Sequence, residues 1–448
     1  MTPRSLGSSG PVVLSLIGVS GLATALLLPT RDGVPAMTTL LVLGGTVFAT
    51  LSLIRDRQLR VHLCAMFSAG LVLRAVTAVV VYRWNPVFFS LDQVGYFGSG
   101  AELAARWRAA GNWASFAWLI GGPGNHFSEM WADLSYFVGP SELALRMATC
   151  VVGAYGSVRI CRLGAETFGI RQGRWAGWVA ALWPSLIIWA AQGLREPLII
   201  LLWCEAGLGV VRVCQGRGWR GLLGLAVGIY GLSLLRPHAA VWAGIGACMA
   251  LVVASARRGA GVRLLAAGVA SMVLLAAGLG FLGSGLLTGS SLAGAAEVRE
   301  GFQGGGSSFG ATANISNLAG ALLYLPVGLA YFLLAPFPWQ AGSALQLSSM
   351  IEQPVWYLLF ALGVYGVLAS VRRRGAEALI PLAFIVPIAL FCGLVISNVG
   401  TGYRDRAQLV PFVFIYVAEA LLTRRPQRVA RAIPLAVSRR RRQLQASP

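Results

Sequence analysis

An all-α bundle of membrane-spanning helices is the fold this chain predicts, on three observations. The 448 residues are 56% hydrophobic and only 12% charged, about half the charged fraction of a typical soluble domain. Apolar segments of roughly 17 to 24 residues recur from Pro11 to Leu422, each long enough to cross a hydrocarbon core of about 30 Å. The mean hydropathy is +0.70, and no stretch is polar enough for a sizeable soluble domain. The chain divides into an N-terminal helical hairpin (1–60), a transmembrane domain (61–422) and a basic tail (423–448).

Candidate spans fall at 11–29, 37–54, 61–82, 142–158, 175–192, 197–213, 221–235, 239–255, 263–283, 318–335, 354–370, 377–396 and 407–422, about 12 to 13 crossings. The first follows a weakly basic start at Arg4 with no small-x-small cleavage site, so it reads as a retained helix rather than a signal peptide. Segment 175–213 has 39 mostly apolar residues, about 58 Å as one helix, so a turn is required. Gly193 and Pro197 supply it around Arg195-Glu196, and Arg236-Pro237 does the same for the next pair.

Arginine clusters at 55–60, 159–174, 212–220 and 257–263, and in the tail, mark one side as cytoplasmic. Both termini then lie in the cytoplasm of a bacterial membrane. Thirteen crossings would separate them, so one segment fails to cross; Pro326, Pro336 and Pro338 make 318–340 the expected re-entrant hairpin. The opposite side receives two large loops, 83–141 and 284–317. The first is aromatic-rich, and Val94, Phe97, Ala101, Ala104 and Ala105 recur with helical spacing, which predicts an interfacial helix over 91–109. The second is Gly/Ser-rich and reads either as a mobile loop that could fold over a substrate or as a plain linker.

All 36 basic residues are Arg, and the formal net charge is +20. That charge sits in short loops and in the tail, which holds eight Arg between 424 and 442 and no acid. The pattern fits anchoring on anionic lipid, about 1 kcal/mol per residue near the surface, and gives no nucleic-acid footprint. Seven Cys lie in or beside apolar segments without CxxC spacing, and three His are far apart, so neither a disulfide framework nor a metal site is indicated and no cofactor is expected.

Charge among membrane helices costs a few kcal/mol per group and marks function by default. Three polar islands, Leu194-Arg195-Glu196-Pro197, Leu235-Arg236-Pro237-His238 and Tyr403-Arg404-Asp405-Arg406, share one side with Asp92. Asp92 reads first as a helix N-cap, a role compatible with that of a carboxylate able to take a proton from a hydroxyl. Arg404 and Arg406, two apart in a loop with Tyr403 and Gln408, could grip one phosphate through paired N–H donors, or form a solvated local salt bridge.

Those residues resemble the polytopic GT-C glycosyltransferases. The resemblance rests on Asp92 and Tyr96 after a span, on Trp183-Pro184-Ser185 followed by Arg195-Glu196-Pro197, on Arg236-Pro237 and on the late Arg404-x-Arg406. It covers roughly 61–422 and is nearest the bacterial members similar to protein O-mannosyltransferases and arabinosyltransferases. It implies a GT-C-like bundle that moves a sugar from a polyprenyl-phosphate donor to a glycan or protein acceptor at the outer face, in cell-envelope or exopolysaccharide synthesis. Asp92 would be the general base. Arg195, Glu196, Arg236, His238, Arg404 and Arg406 would serve the donor, with Tyr403 and Gln408 beside them, and Tyr96 and Trp339 would stack on sugars. Many members carry a paired acid in the first loop, whereas Asp92 stands alone. The rival readings are a Wzy-type polysaccharide polymerase, which needs no catalytic carboxylate, a flippase or exporter of lipid-linked glycans, and a structural partner in an envelope assembly.

Overall fold

The apolar stretches form helices wherever the computed structural model describes them, which is over residues 32–84, 91–111, 113, 116–258, 292–303, 307–310, 313–340 and 350–423. The expected spans at 11–29 and 263–283 and the tail beyond 423 lie outside the described residues. In chain order the helices are α1 (Gly33–Ser52), α2 (Arg57–Trp84), α3 (Leu91–Ala109), α4 (Phe127–Val138), α5 (Glu142–Thr167), α6 (Ile170–Leu182), α7 (Pro184–Ala191) and α8 (Glu196–Cys214). There follow α9 (Gly218–Leu235), α10 (Pro237–Arg258), α11 (Leu292–Gly301), α12 (Leu318–Leu334), α13 (Gln353–Arg374), α14 (Ile380–Val395), α15 (Val399–Arg406) and α16 (Val410–Leu422). Among the described residues there is no β-strand, only an isolated antiparallel bridge between Ser308 and Asn398.

Among the described residues, eight helical segments are long and apolar enough to cross a membrane, and α12 and α16 are shorter apolar helices. The most enclosed is α16, buried at every position from Val410 to Ala420. A helix apolar all round has no solvent face to present, and this one packs against α6 and α13. Elsewhere the backbones approach through small residues, as membrane helices do. A Cβ on Gly228 of α9 would lie 2.5 Å from the Ala206 nitrogen of α8.

Local signals set the boundaries. The Ser141 hydroxyl accepts the Ala144 N–H at 3.1 Å, and the Asn317 side chain accepts the Gly320 N–H at 2.9 Å. Gly193 takes φ +73° in the turn before α8, the left-handed conformation that glycine adopts without strain. Pro197 occupies the first turn of α8 and Pro237 opens α10, where a missing N–H costs nothing.

Three expectations need correction. The span read over 175–192 is two helices, α6 and α7, of 13 and 8 residues, broken where Trp183 is extended before Pro184. The break frees the last carbonyls of α6, and the buried Arg74 of α2 donates to those of Ala181 and Ala180 at 2.8 and 3.1 Å. The polar loop over 397–406 is largely the helix α15, capped by the Asn398 side chain on the Thr401 N–H at 3.2 Å. The described part of the Gly/Ser-rich 284–317 segment is not loop throughout: it includes the helix α11, whose Arg299 bonds to neighbouring backbone. Arg299 is 1% exposed; it donates to the carbonyls of Leu394, Phe309 and Gly310 and to the Tyr324 hydroxyl.

Candidate functional site

The islands meet because their helices begin or end at one end of the bundle. α3, α5, α8 and α10 start there, α9 finishes there, and α15 lies across them. Asp92 is the second residue of α3, inside its first turn. It is therefore not the N-cap, and its carboxylate turns to Arg404, whose Nη1 is 2.7 Å from Asp92 Oδ2. The Arg404 Nε lies 2.9 Å from Glu196 Oε1 at the start of α8. That same oxygen accepts from Arg236 Nη2 at 3.1 Å, and Arg236 Nη1 donates to Asp405. A continuous path thus runs Asp92–Arg404–Glu196–Arg236–Asp405 across residues 313 positions apart in sequence.

Arg195 completes the set. It donates to the Leu235 carbonyl at 3.0 Å, and its guanidinium stands 5.8 Å from the centre of the Tyr96 ring. Three carboxylates therefore face three guanidiniums. Glu196, Arg236 and Asp405 are buried, whereas the Asp92 side chain is 45% exposed. The exposed carboxylate can meet a substrate, and the buried ones hold the arginines.

The electrostatics follow from that layout. Burial works against the charge on Arg404, but Glu196 and Asp405 outweigh it and hold its proton above the ordinary arginine range. Burial would push the Asp405 carboxyl up; Arg236 and Arg404 reverse this and hold it below 3.8. Arg195 is lowered, by burial first and then by Arg236. Buried polar atoms without a hydrogen-bond partner among the described residues include Arg195 Nε, Arg236 Nε and Glu196 Oε2, so the cluster keeps unused donors and an unused acceptor.

The paired grip expected of Arg404 and Arg406 is not formed. Residues two apart on a helix point to opposite faces, so Arg406 turns away from Asp92. It donates to the carbonyls of Leu333 and Ala335 at 3.0 and 2.9 Å and lies over the rings of Trp356 and Tyr403, at 4.8 and 5.0 Å. Burial lowers its pKa to about 10 against the opposing pull of Tyr403 and Glu352. This second network also contains Glu352, which the sequence reading missed. Glu352 accepts from the Tyr403 hydroxyl at 3.1 Å and from the Ser185 N–H at 2.7 Å, and burial raises its carboxyl above the ordinary range.

The remaining predicted residues take separate places, with Tyr96 bordering Arg195. Tyr96 is buried edge-on to Phe127, with ring centres 5.1 Å apart. His238 packs beside Phe391 at 5.9 Å, and Gln408 is buried with no partner on Oε1. Trp339 is 77% exposed and stacks on Phe337 rather than on the cluster. No group of three or more His, Cys, Asp or Glu side chains able to hold a metal occurs among the described residues.

No protein-family model matches the chain, nor does any curated protein or solved structure. The class defined by the fold is an all-α, polytopic helical bundle whose apolar helices fit a multi-pass membrane protein.

Proposed function

We propose that the protein is a membrane glycosyltransferase that moves a sugar from a polyprenyl-phosphate donor to a hydroxyl of a glycan or protein acceptor at the outer face of the cytoplasmic membrane. The observation that carries this reading is the contact of the half-exposed Asp92 carboxylate with Arg404, itself held by buried Glu196.

In the resting site Arg404 occupies Asp92. An arriving donor phosphate competes with that carboxylate for the guanidinium, which it can take because anion and carboxylate use the same N–H donors. Asp92 is then free to accept the acceptor hydroxyl's proton as the oxygen attacks the anomeric carbon, with inversion. The bond from that carbon to the phosphate oxygen breaks, and the departing negative charge stays on Arg404, with Arg195 next to it. Fixed donors aimed at developing charge supply the larger share of such a barrier reduction. Glu196 and Asp405 keep the arginines aimed without taking part in the reaction.

Proteoliposomes supplied with a radiolabelled polyprenyl-phospho-sugar and an acceptor glycan test the reading. Wild type should transfer label, and D92N should transfer at least about 100-fold less, the usual contribution of a general base. A D92N rate equal to wild type would instead favour the polymerase, which needs no carboxylate.

A further inference from the structure

At the opposite end of the bundle, α6 carries one continuous stripe. Arg171 and Arg174 occupy its first turn, and Trp175, Trp178, Val179 and Leu182 continue the same face at helical spacing. That stripe walls an open groove of about 570 Å³, also lined by His62 of α2 and Leu422 of α16. From Arg171 to Leu182 it runs about 16 Å, close to one leaflet of a hydrocarbon core about 30 Å thick.

The charges in this groove are unlike their neighbours. Arg212 and Arg217 at the same end meet Glu166, and Arg374 meets Glu419, which also takes the Gln172 side chain. Arg171 and Arg174 meet no carboxylate among the described residues, and the groove lining contains no acid. Arg174 Nε is buried with no hydrogen-bond acceptor among the described residues. The His62 Nε2 is already taken, accepting from Trp178 Nε1 at 3.0 Å. Two unneutralised guanidiniums at i and i+3 are neighbours on the helix surface. Below them, Trp178 is partly buried and Leu182 is 51% exposed. Arg171 and Arg174 give the groove a positive end, and Trp175, Trp178, Val179, Leu182, Trp183 and Leu422 make the rest of its lining apolar.

We infer that this groove is a binding site for an anionic glycerophospholipid, its phosphate on Arg171 and Arg174 and one acyl chain lying along Trp178 and Leu182 toward Trp183. The charge complementarity selects an anionic headgroup, and the length selects a chain of one leaflet. This site stands independently of the transferase reading, which concerns the other end.

The full-length protein in nanodiscs of mixed composition, released gently into a mass spectrometer, reports which lipids stay bound. Phosphatidylglycerol should be retained at least tenfold over phosphatidylcholine of the same chains, and R171Q/R174Q should remove that preference. V179W, which fills the groove and leaves both arginines in place, should also lower phosphatidylglycerol retention, and it decides alone if the double variant does not fold. Equal retention of the two lipids, or a preference that survives either variant, overturns the site. Polyprenyl phosphate displacing phosphatidylglycerol at equal mole fraction also overturns it, by assigning the groove to a lipid-linked substrate.

Discussion

The two ends of the bundle handle charge differently. At the Asp92 end, residues from α3, α8, α15 and the α9–α10 turn form one branched network in which Glu196 Oε1 serves two arginines at once. At the far end the charges form small separate groups: Glu166 takes Arg212 at 2.7 Å and Arg217 at 3.1 Å, and Glu419 takes Arg374 at 3.3 Å. A network that joins several elements holds a geometry, whereas small separate groups chiefly neutralise helix ends. The comparison predicts that the same kind of substitution will have large effects at one end and small ones at the other.

The largest effect is catalytic. R404Q should abolish sugar transfer in the proteoliposome assay, because both Asp92 and the donor phosphate use that guanidinium; turnover near the wild-type rate would dissolve the comparison. Next, E196Q removes the one carboxylate shared by Arg236 and Arg404. Breaking a buried ion pair from one side costs about 3–5 kcal/mol, so denaturant unfolding in detergent should show a loss of that order. A loss under 1 kcal/mol would mean the network contributes nothing to holding the fold.

A smaller effect concerns pH. Asp405 is lowered in the folded state, so its stabilising contribution is complete above the ordinary carboxylate value and is lost as pH falls through the lowered one. Below pH 3.8 the wild type should therefore lose stability more steeply than D405N, which lacks that titration. Parallel curves would show that Arg236 does not hold Asp405 charged. The smallest effect is at the far end. R217Q, breaking a pair in which the arginine is 55% exposed, should change stability by less than about 1 kcal/mol.

Part of this was legible in the sequence for a simple reason. Arg195-Glu196, Arg236 and Arg404-Asp405 interrupt apolar segments, and counting spans places them with Asp92 on one side. Convergence then followed from sidedness. The turn at Gly193 was legible as well, since one helix of that length overshoots the bilayer. What failed was fine direction. Arg406 was paired with Arg404 because 397–406 was read as a loop, and only helical phase sends it to the Leu333 and Ala335 carbonyls. Pro184 could have signalled the α6–α7 break, and the lone Arg74 inside an apolar span could have signalled its compensation. Glu352 gave no local sign, because its partners Ser185 and Tyr403 lie 167 and 51 positions away. The Gly/Ser-rich segment misled through its composition: glycine and serine suggest freedom, but Arg299 donates to the Leu394 and Ile396 carbonyls at the end of α14 and to those of Phe309 and Gly310 in its own segment.

The central claim is that Asp92 and a donor phosphate compete for Arg404. Binding of a polyprenyl phosphate to wild type, D92N and R404Q in proteoliposomes tests it most directly. Removing the competing carboxylate should make D92N bind more tightly than wild type, and R404Q should bind at least tenfold more weakly. Unchanged affinity in both variants, or weaker binding by D92N, would contradict the account.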